Sequence, residues 1–195
     1  MDALFERARQ QGLTEDCSEV SLDATGLESH HISRYFLRRS GRMKRFRRFP
    51  KITVVSDNST HLIAGMVVGT GPCNDSPALP AAMRQASARI KIVRLLADGA
   101  YDSEAHHRLC REELGIAQTV IPINPRGHPQ CVPCGTYRQQ MKEHFPREQF
   151  GQRWQVESVL SRFKRRFGSA LRARTESSRS GECHLRALTH NLMIL

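Results

Sequence analysis

No apolar run in this chain approaches the ~20 residues that a membrane-spanning helix needs; the longest candidate, Leu62 to Gly69, has the length of a strand. The first residues, Met1-Asp2-Ala3-Leu4-Phe5-Glu6-Arg7, lack the basic segment and apolar core of a secretion signal, so a soluble, cytoplasmic chain without a membrane partner is expected. Internal repeats and low-complexity tracts are missing as well. With 39% hydrophobic and 25% charged residues, this argues against a disordered tail, a collagen-like repeat or a disulfide miniprotein. The six cysteines are unevenly spaced, form no disulfide framework and read as free thiols. A chain of 195 residues and 22.1 kDa is long enough for one domain with a real core and short for two.

Acids are absent from one whole stretch. Between Arg34 and Lys51 nine basic residues, among them Arg42, Lys44, Arg45, Arg47 and Arg48, stand without a single Asp or Glu. Between Arg153 and Arg174 seven more, including Arg153, Lys164, Arg165 and Arg166, accompany one acid, Glu157. Elsewhere 14 basic residues face 18 acidic ones, so the net charge of +11 belongs to two local surfaces. Solubility does not require excluding acids from basic runs, whereas phosphate binding favours it. Neither stretch is a long helix with a separate bulky apolar face, which argues against a membrane surface as the partner.

Apolar periodicity organises the chain. Val20 to Thr25 alternates like a strand and stops at Gly26; Ile52 to Val55, the turn Asp57-Asn58-Ser59 and Leu62 to Val68 read as a hairpin. Asn74-Asp75-Ser76-Pro77 predicts a helix start leading into Ala78 to Arg89, with a side-chain acceptor at its cap. Ile90 to Ala97 is a strand, Ser103 to Leu114 a helix, and Thr119 to Ile123 a short strand. A loop rich in Pro, Gly and Cys runs from Asn124 to about Tyr137, a helix from about Gln149 to Phe167, and a closing helix from Glu182 to Leu195. The predicted class is α/β, a mixed sheet whose first three strands are antiparallel.

Two carboxylates sit badly in this pattern. Asp23 interrupts a strand, where Asp is disfavoured, and Asp98 stands where a strand gives way to the turn Asp98-Gly99-Ala100-Tyr101-Asp102. Taken alone, Asp98 reads as an Asp that hydrogen-bonds its own turn, and Asp57 reads so more strongly. On the helix after Gln149, Arg153, Glu157, Ser161 and Lys164 share one stripe beside the apolar stripe Val156, Leu160, Phe163 and Phe167. Glu157 reads either as an i, i+4 ion pair with Arg153 or as a third carboxylate reaching those of the sheet. Three oxygen ligands suit Mg²⁺ or Mn²⁺, and two such ions together serve phosphodiester chemistry.

Asp23-Ala24-Thr25-Gly26, Asp98-Gly99-Ala100-Tyr101-Asp102, and Arg153-x-x-x-Glu157 followed after six residues by Lys164 resemble the catalytic segments of the DDE transposases of bacterial insertion sequences. In that group the third segment reads Tyr, two residues, Arg, three, Glu, six, Lys; here Phe150 stands at the Tyr position, keeping a ring and losing the hydroxyl. Further similarity lies in Phe49-Pro50-Lys51, Thr60-His61-Leu62-Ile63, Gly71-Pro72-x-x-Asp75, Lys164-Arg165-Arg166-Phe167-Gly168 and Arg186-Ala187-Leu188-x-His190-Asn191-Leu192. The resemblance implies a ribonuclease H-like fold and two Mg²⁺ or Mn²⁺ ions held by Asp23, Asp98 and Glu157. It implies cleavage at transposon ends and attack of the freed 3′-hydroxyl on target DNA. Arg153 and Lys164 would hold DNA or the transition-state charge, and pairing of two ends implies a homodimer. Relatives carry a DNA-recognition region ahead of the first catalytic strand. The organisation expected here is one catalytic domain over 1–195, with 1–19 as a short lead-in and no separate recognition region.

Two other functions fit the same residues: a nuclease of the same fold without strand transfer, and an inert, shortened transposase remnant that only binds DNA. Cys131-x-x-Cys134 and His128 supply three of the four ligands that a closed zinc site needs, and read as free loop residues. The pairs His30-His31 and His106-His107 read as surface, phosphate-contacting or structurally satisfied residues rather than metal ligands.

Overall fold

The alternating segments pair as the pattern predicts. In the computed structural model, which describes residues 1–14, 17–28, 39, 41, 49–125 and 133–195, β1 (Ser18–Gly26), β2 (Phe49–Asp57) and β3 (Ile63–Gly71) form an antiparallel meander. β4 (Ile92–Ala97) and β5 (Gln118–Val120) add in parallel on the other side of β1. Among the described residues the result is one mixed five-stranded sheet of order β3-β2-β1-β4-β5, the α/β architecture expected of a ribonuclease H-like transposase fold.

Strand alternation sends side chains to two cores, one on each face of the sheet. Val20, Leu22, Val55 and Leu95 pack with α1 (Asp2–Gln10) and α2 (Leu79–Ser87). Ile52, Val54 and Met66 pack on the opposite face against α6 (Trp154–Phe167) and α7 (Glu176–Leu192). Phe163 is fully buried at the centre of that second core, a burial that stabilises by roughly 1.5–3 kcal/mol. A register shift after Val55, opposite Ile63 to Gly65, inserts one residue into β3. At Gly65 any Cβ would lie 2.3 Å from the Ala82 carbonyl oxygen, so glycine lets β3 and α2 meet.

The helices depart from the predicted spans in instructive ways. α1 lies within the lead-in and buries Leu4, Phe5 and Ala8. The predicted cap before α2 is different: Asn74 Oδ1 accepts from the Ser76 N–H at 3.2 Å, Asp75 pairs with Lys51, and a 3₁₀ turn over Ser76–Ala78 leads into the helix. The helix after Ser103 runs as α3 (Glu104–Arg108) and then loosens into a π-turn at Leu109–Glu113. α4 (Thr136–Glu143) begins where a loop was expected to end; it buries only Met141, so it shows no apolar stripe in the sequence. The single helix expected from Gln149 is split into α5 (Arg147–Phe150), a 3₁₀ turn at Gly151–Arg153 and α6. α7 starts six residues before the predicted Glu182, because Thr175 Oγ1 accepts from the Ser178 N–H and caps it.

Candidate active site

The central parallel pair places the first two carboxylates. Leu22 of β1 is in register with Ala97 of β4, so Asp23 and Asp98 each follow directly on paired residues of two adjacent parallel strands. Neighbouring strands lie about 4.8 Å apart, and ligand sites in such sheets form beyond the carboxyl ends of parallel strands. Odd-numbered positions of β1 face away from Val20 and Leu22, which turns Asp23 toward the layer holding α6. Asp98 is extended and exposed, and among the described residues it makes no side-chain cap bond to the 3₁₀ turn Gly99–Tyr101. The turn-bonding reading of Asp98 therefore fails. It holds for Asp57, whose Oδ2 accepts from Ser59 Oγ, Thr60 N and Thr60 Oγ1 at 2.6–2.9 Å.

Arg153 joins the helix to the sheet. Its Nη2 donates to Glu157 Oε1 at 2.5 Å and its Nη1 lies 3.6 Å from Asp23 Oδ2, so one guanidinium links acids on two elements. The i, i+4 pair anticipated from the sequence thus forms, and it is extended to the strand. The Phe150 ring centroid is 5.9 Å from the Arg153 guanidinium carbon, within cation–π range. Asp23 Oδ1 accepts from the Ala24 N–H at 2.8 Å. Burial raises the Asp23 pKa above the ordinary aspartate range; the Ala24 N–H and Arg153 oppose the rise, and the charges of Glu157 and Asp98 add to it. Asp23 therefore feels the charge of both other carboxylates.

Around them stands a second tier that the sequence did not single out. Tyr101 is fully buried; burial, then the charges of Asp75, Asp23 and Asp98, push its phenol far above the usual range. It is a neutral hydroxyl beside three carboxylates. Asp102, also buried, takes both arms of Arg138, Nε to Oδ1 at 2.8 Å and Nη2 to Oδ2 at 2.7 Å, and accepts the Asn124 N–H at 2.9 Å. That clamp holds the far end of the turn carrying Asp98, since the Tyr101 N–H bonds Asp98 O and the Asp102 N–H bonds Gly99 O. Trp154, the sole tryptophan, is 52% exposed one residue beyond Arg153. An exposed Trp beside an Arg in the third segment was the available signal for it.

The basic residues divide. Lys164 is half-buried on α6, about 10 Å beyond Glu157 at 1.5 Å per residue. Arg165 and Arg166 are exposed in the last turn, Arg166 reaching Met193 Sδ at 3.8 Å. Arg42, Lys44, Arg45, Arg47 and Arg48 lie outside the described residues, as do His30, His31, His128 and Cys131. Cys134 is an exposed free thiol, and Cys110 and Cys183 are buried, with thiols pushed up to about 12 and about 11 by burial. His106 and His107 are structural: His106 Nδ1 meets Tyr101 O at 2.8 Å and His107 Nδ1 meets Thr119 Oγ1 at 2.6 Å.

Among the described residues no three His, Cys, Asp or Glu side chains already stand together as a metal-holding group. The donor chemistry nonetheless suits a hard divalent ion, since Asp23, Asp98 and Glu157 offer only carboxylate oxygens, and the like charges of Asp98 and Glu157 bear on Asp23. Among the described residues no helix is long and apolar enough to cross a membrane.

The family model of the transposase DDE domain matches residues 17–192, from just before β1 to the end of α7. Membership implies DNA as substrate and divalent metal ions as the family's helpers. With the mixed sheet and nearly the whole chain accounted for, the protein belongs to the DDE-domain transposases.

Proposed function

We propose that this chain is the catalytic domain of an insertion-sequence transposase, cleaving DNA at the element's ends and joining the freed 3′-hydroxyl to target DNA, with Asp23, Asp98 and Glu157 as its metal-holding catalytic residues. The observation that carries the reading is the register of β1 on β4, which brings Asp23 and Asp98 to adjacent strand ends, together with Arg153, which ties Glu157 to Asp23. When bound, Mg²⁺ or Mn²⁺ supplies activation of the attacking hydroxyl and charge stabilisation of the leaving oxygen.

The chain's own residues do the rest. Asp23, half-buried and crowded by like charge, gains from any cation that neutralises it. Asp98 presents an exposed carboxylate that, among the described residues, makes no cap bond to its own turn, and the Asp102–Arg138 clamp fixes the turn behind it. Lys164, on the α6 face that bears Glu157, and Arg153, in the turn leading into that helix, contact DNA phosphates there, Arg153 by its planar fork. The basic stretch around Arg42, Lys44, Arg45, Arg47 and Arg48, with Arg165 and Arg166, adds sequence-independent phosphate contacts. Pairing of two DNA ends makes a homodimer the working assembly.

Two measurements test this. Glu157→Gln is expected to abolish Mg²⁺-dependent DNA cleavage while nonspecific DNA binding survives; equal cleavage by variant and parent would remove Glu157 from the chemistry. Paramagnetic broadening by Mn²⁺ is expected near Asp23, Asp98 and Glu157 and is expected to vanish in Asp98→Asn. Broadening that is absent, or indifferent to that substitution, would refute the assignment of the carboxylates.

A further inference from the structure

The arrangement of Arg153 carries a consequence for how the site is loaded. Its two terminal nitrogens contact Glu157 and Asp23 at 2.5 and 3.6 Å, occupying positions beside carboxylate oxygens to which a bound cation would turn. The Arg153 side chain is 20% exposed while that of Glu157 is 54% exposed, so the guanidinium lies deeper than the acid it neutralises. It also lies near the Phe150 ring. Arginine does not lose its proton, so it cannot make room for a second cation by titrating; like charges leave only movement. A phosphate offers the same two-oxygen face that a carboxylate does, and the guanidinium fork matches both.

Resting on the reading of Asp23, Asp98 and Glu157 as metal-holding residues, we propose that Arg153 is a built-in stand-in for the metal. Arg153 bridges Asp23 and Glu157; a divalent cation displaces it, and the released guanidinium is handed to the DNA backbone. Arg153 is then a positioning residue that couples two binding events. Because coupling between two ligands is reciprocal, DNA tightens cation binding by the factor by which the cation tightens DNA binding.

The test uses Mn²⁺ alone, titrated into the full chain and followed by electron paramagnetic resonance of the free ion, with Asp98→Asn marking binding at the carboxylates. Arg153→Gln is expected to bind Mn²⁺ about fivefold tighter than the parent, the lower end of usual site–site coupling. Arg147→Gln, which removes the same charge from an exposed position on the neighbouring α5, is expected to change affinity by less than about twofold, as for an exposed charge. A short DNA duplex of arbitrary sequence is expected to tighten Mn²⁺ binding in the parent and not in Arg153→Gln. Circular dichroism checks that each variant is folded, and Arg153→Lys, which keeps the charge without the fork, serves as a second variant falling between parent and Gln. Unchanged affinity in Arg153→Gln, with binding still lost in Asp98→Asn, overturns the stand-in and leaves the carboxylate assignment in place. An equal gain in Arg147→Gln, or DNA tightening in both parent and Arg153→Gln, overturns it too. Absence of binding sensitive to Asp98→Asn in the parent and in Arg153→Gln alike overturns the carboxylate assignment and the stand-in with it.

Discussion

Removing the guanidinium of Arg138 is expected to be among the most destabilising single changes in this protein. The Asp102 side chain is wholly buried and Arg138 is 16% exposed, so truncation to Ala takes both guanidinium bonds away from a carboxylate in the interior. Breaking such a buried pair from one side costs about 3–5 kcal/mol. For a chain of this length each kcal/mol lowers the melting temperature by about 2–4 °C, so Arg138→Ala should melt about 6–20 °C below the parent in far-UV circular dichroism. The loss does not stop at Asp102. Glu104 accepts the Tyr137 and Arg138 N–H groups at 3.3 and 3.1 Å, so α4 and the turn bearing Asp98 are held through the same cluster. Replacing both partners by apolar residues of similar volume, Asp102→Leu with Arg138→Met, is expected to recover most of the stability, since no charge is then left buried. If Arg138→Ala melted within about 2 °C of the parent, the pair would be contributing no more than an exposed ion pair, and the clamp would not be what holds the Asp98 turn.

Asn191→Ala removes two buried hydrogen bonds, Ile63 N–H to Oδ1 at 2.8 Å and Nδ2 to Ile63 O at 2.9 Å, and is expected to cost about 2–5 kcal/mol in urea unfolding; a loss under about 1 kcal/mol would count against this tie. Asp23→Asn is expected to raise the melting temperature at neutral pH while abolishing Mn²⁺ binding. The folded-state pKa of Asp23 lies above its unfolded value, so this group's stabilising contribution is full below the ordinary aspartate range and is lost as pH rises through the raised value. The gain of the Asn variant should accordingly vanish in acid, and a variant less stable than the parent at pH 7 would contradict the sign. Neutralising both exposed arginines, Arg165→Gln with Arg166→Gln, is expected to flatten the dependence of log DNA affinity on log salt by about 1.8, at about 0.9 per phosphate contact; an unchanged slope would place them off the DNA.

Local chemistry alone determined a good part of this molecule. Period-two alternation in Val20 to Thr25 specified a strand, the apolar runs about the Asp57-Asn58-Ser59 turn specified a hairpin, and the 3.6-residue stripe of Val156, Leu160 and Phe163 specified α6 and its buried side. Asp23 and Asp98 were visible because each breaks its local pattern, and Glu157 because it is a lone acid among bases. α4 was not visible, since a helix with one buried residue is held by Glu104 and Asp102 rather than by its own periodicity. Tertiary structure alone decided which family motifs meet: Lys51 with Asp75, His61 and Ile63 with His190 and Asn191, and the Gly168 carbonyl with Arg186. It likewise decided that Arg153, beyond its helical partner Glu157, reaches Asp23. The reason is physical. Periodicity reports which side of an element is buried, whereas a partner 128 residues away, as Asn191 is from Ile63, is chosen by strand register and by how helices pack across the sheet.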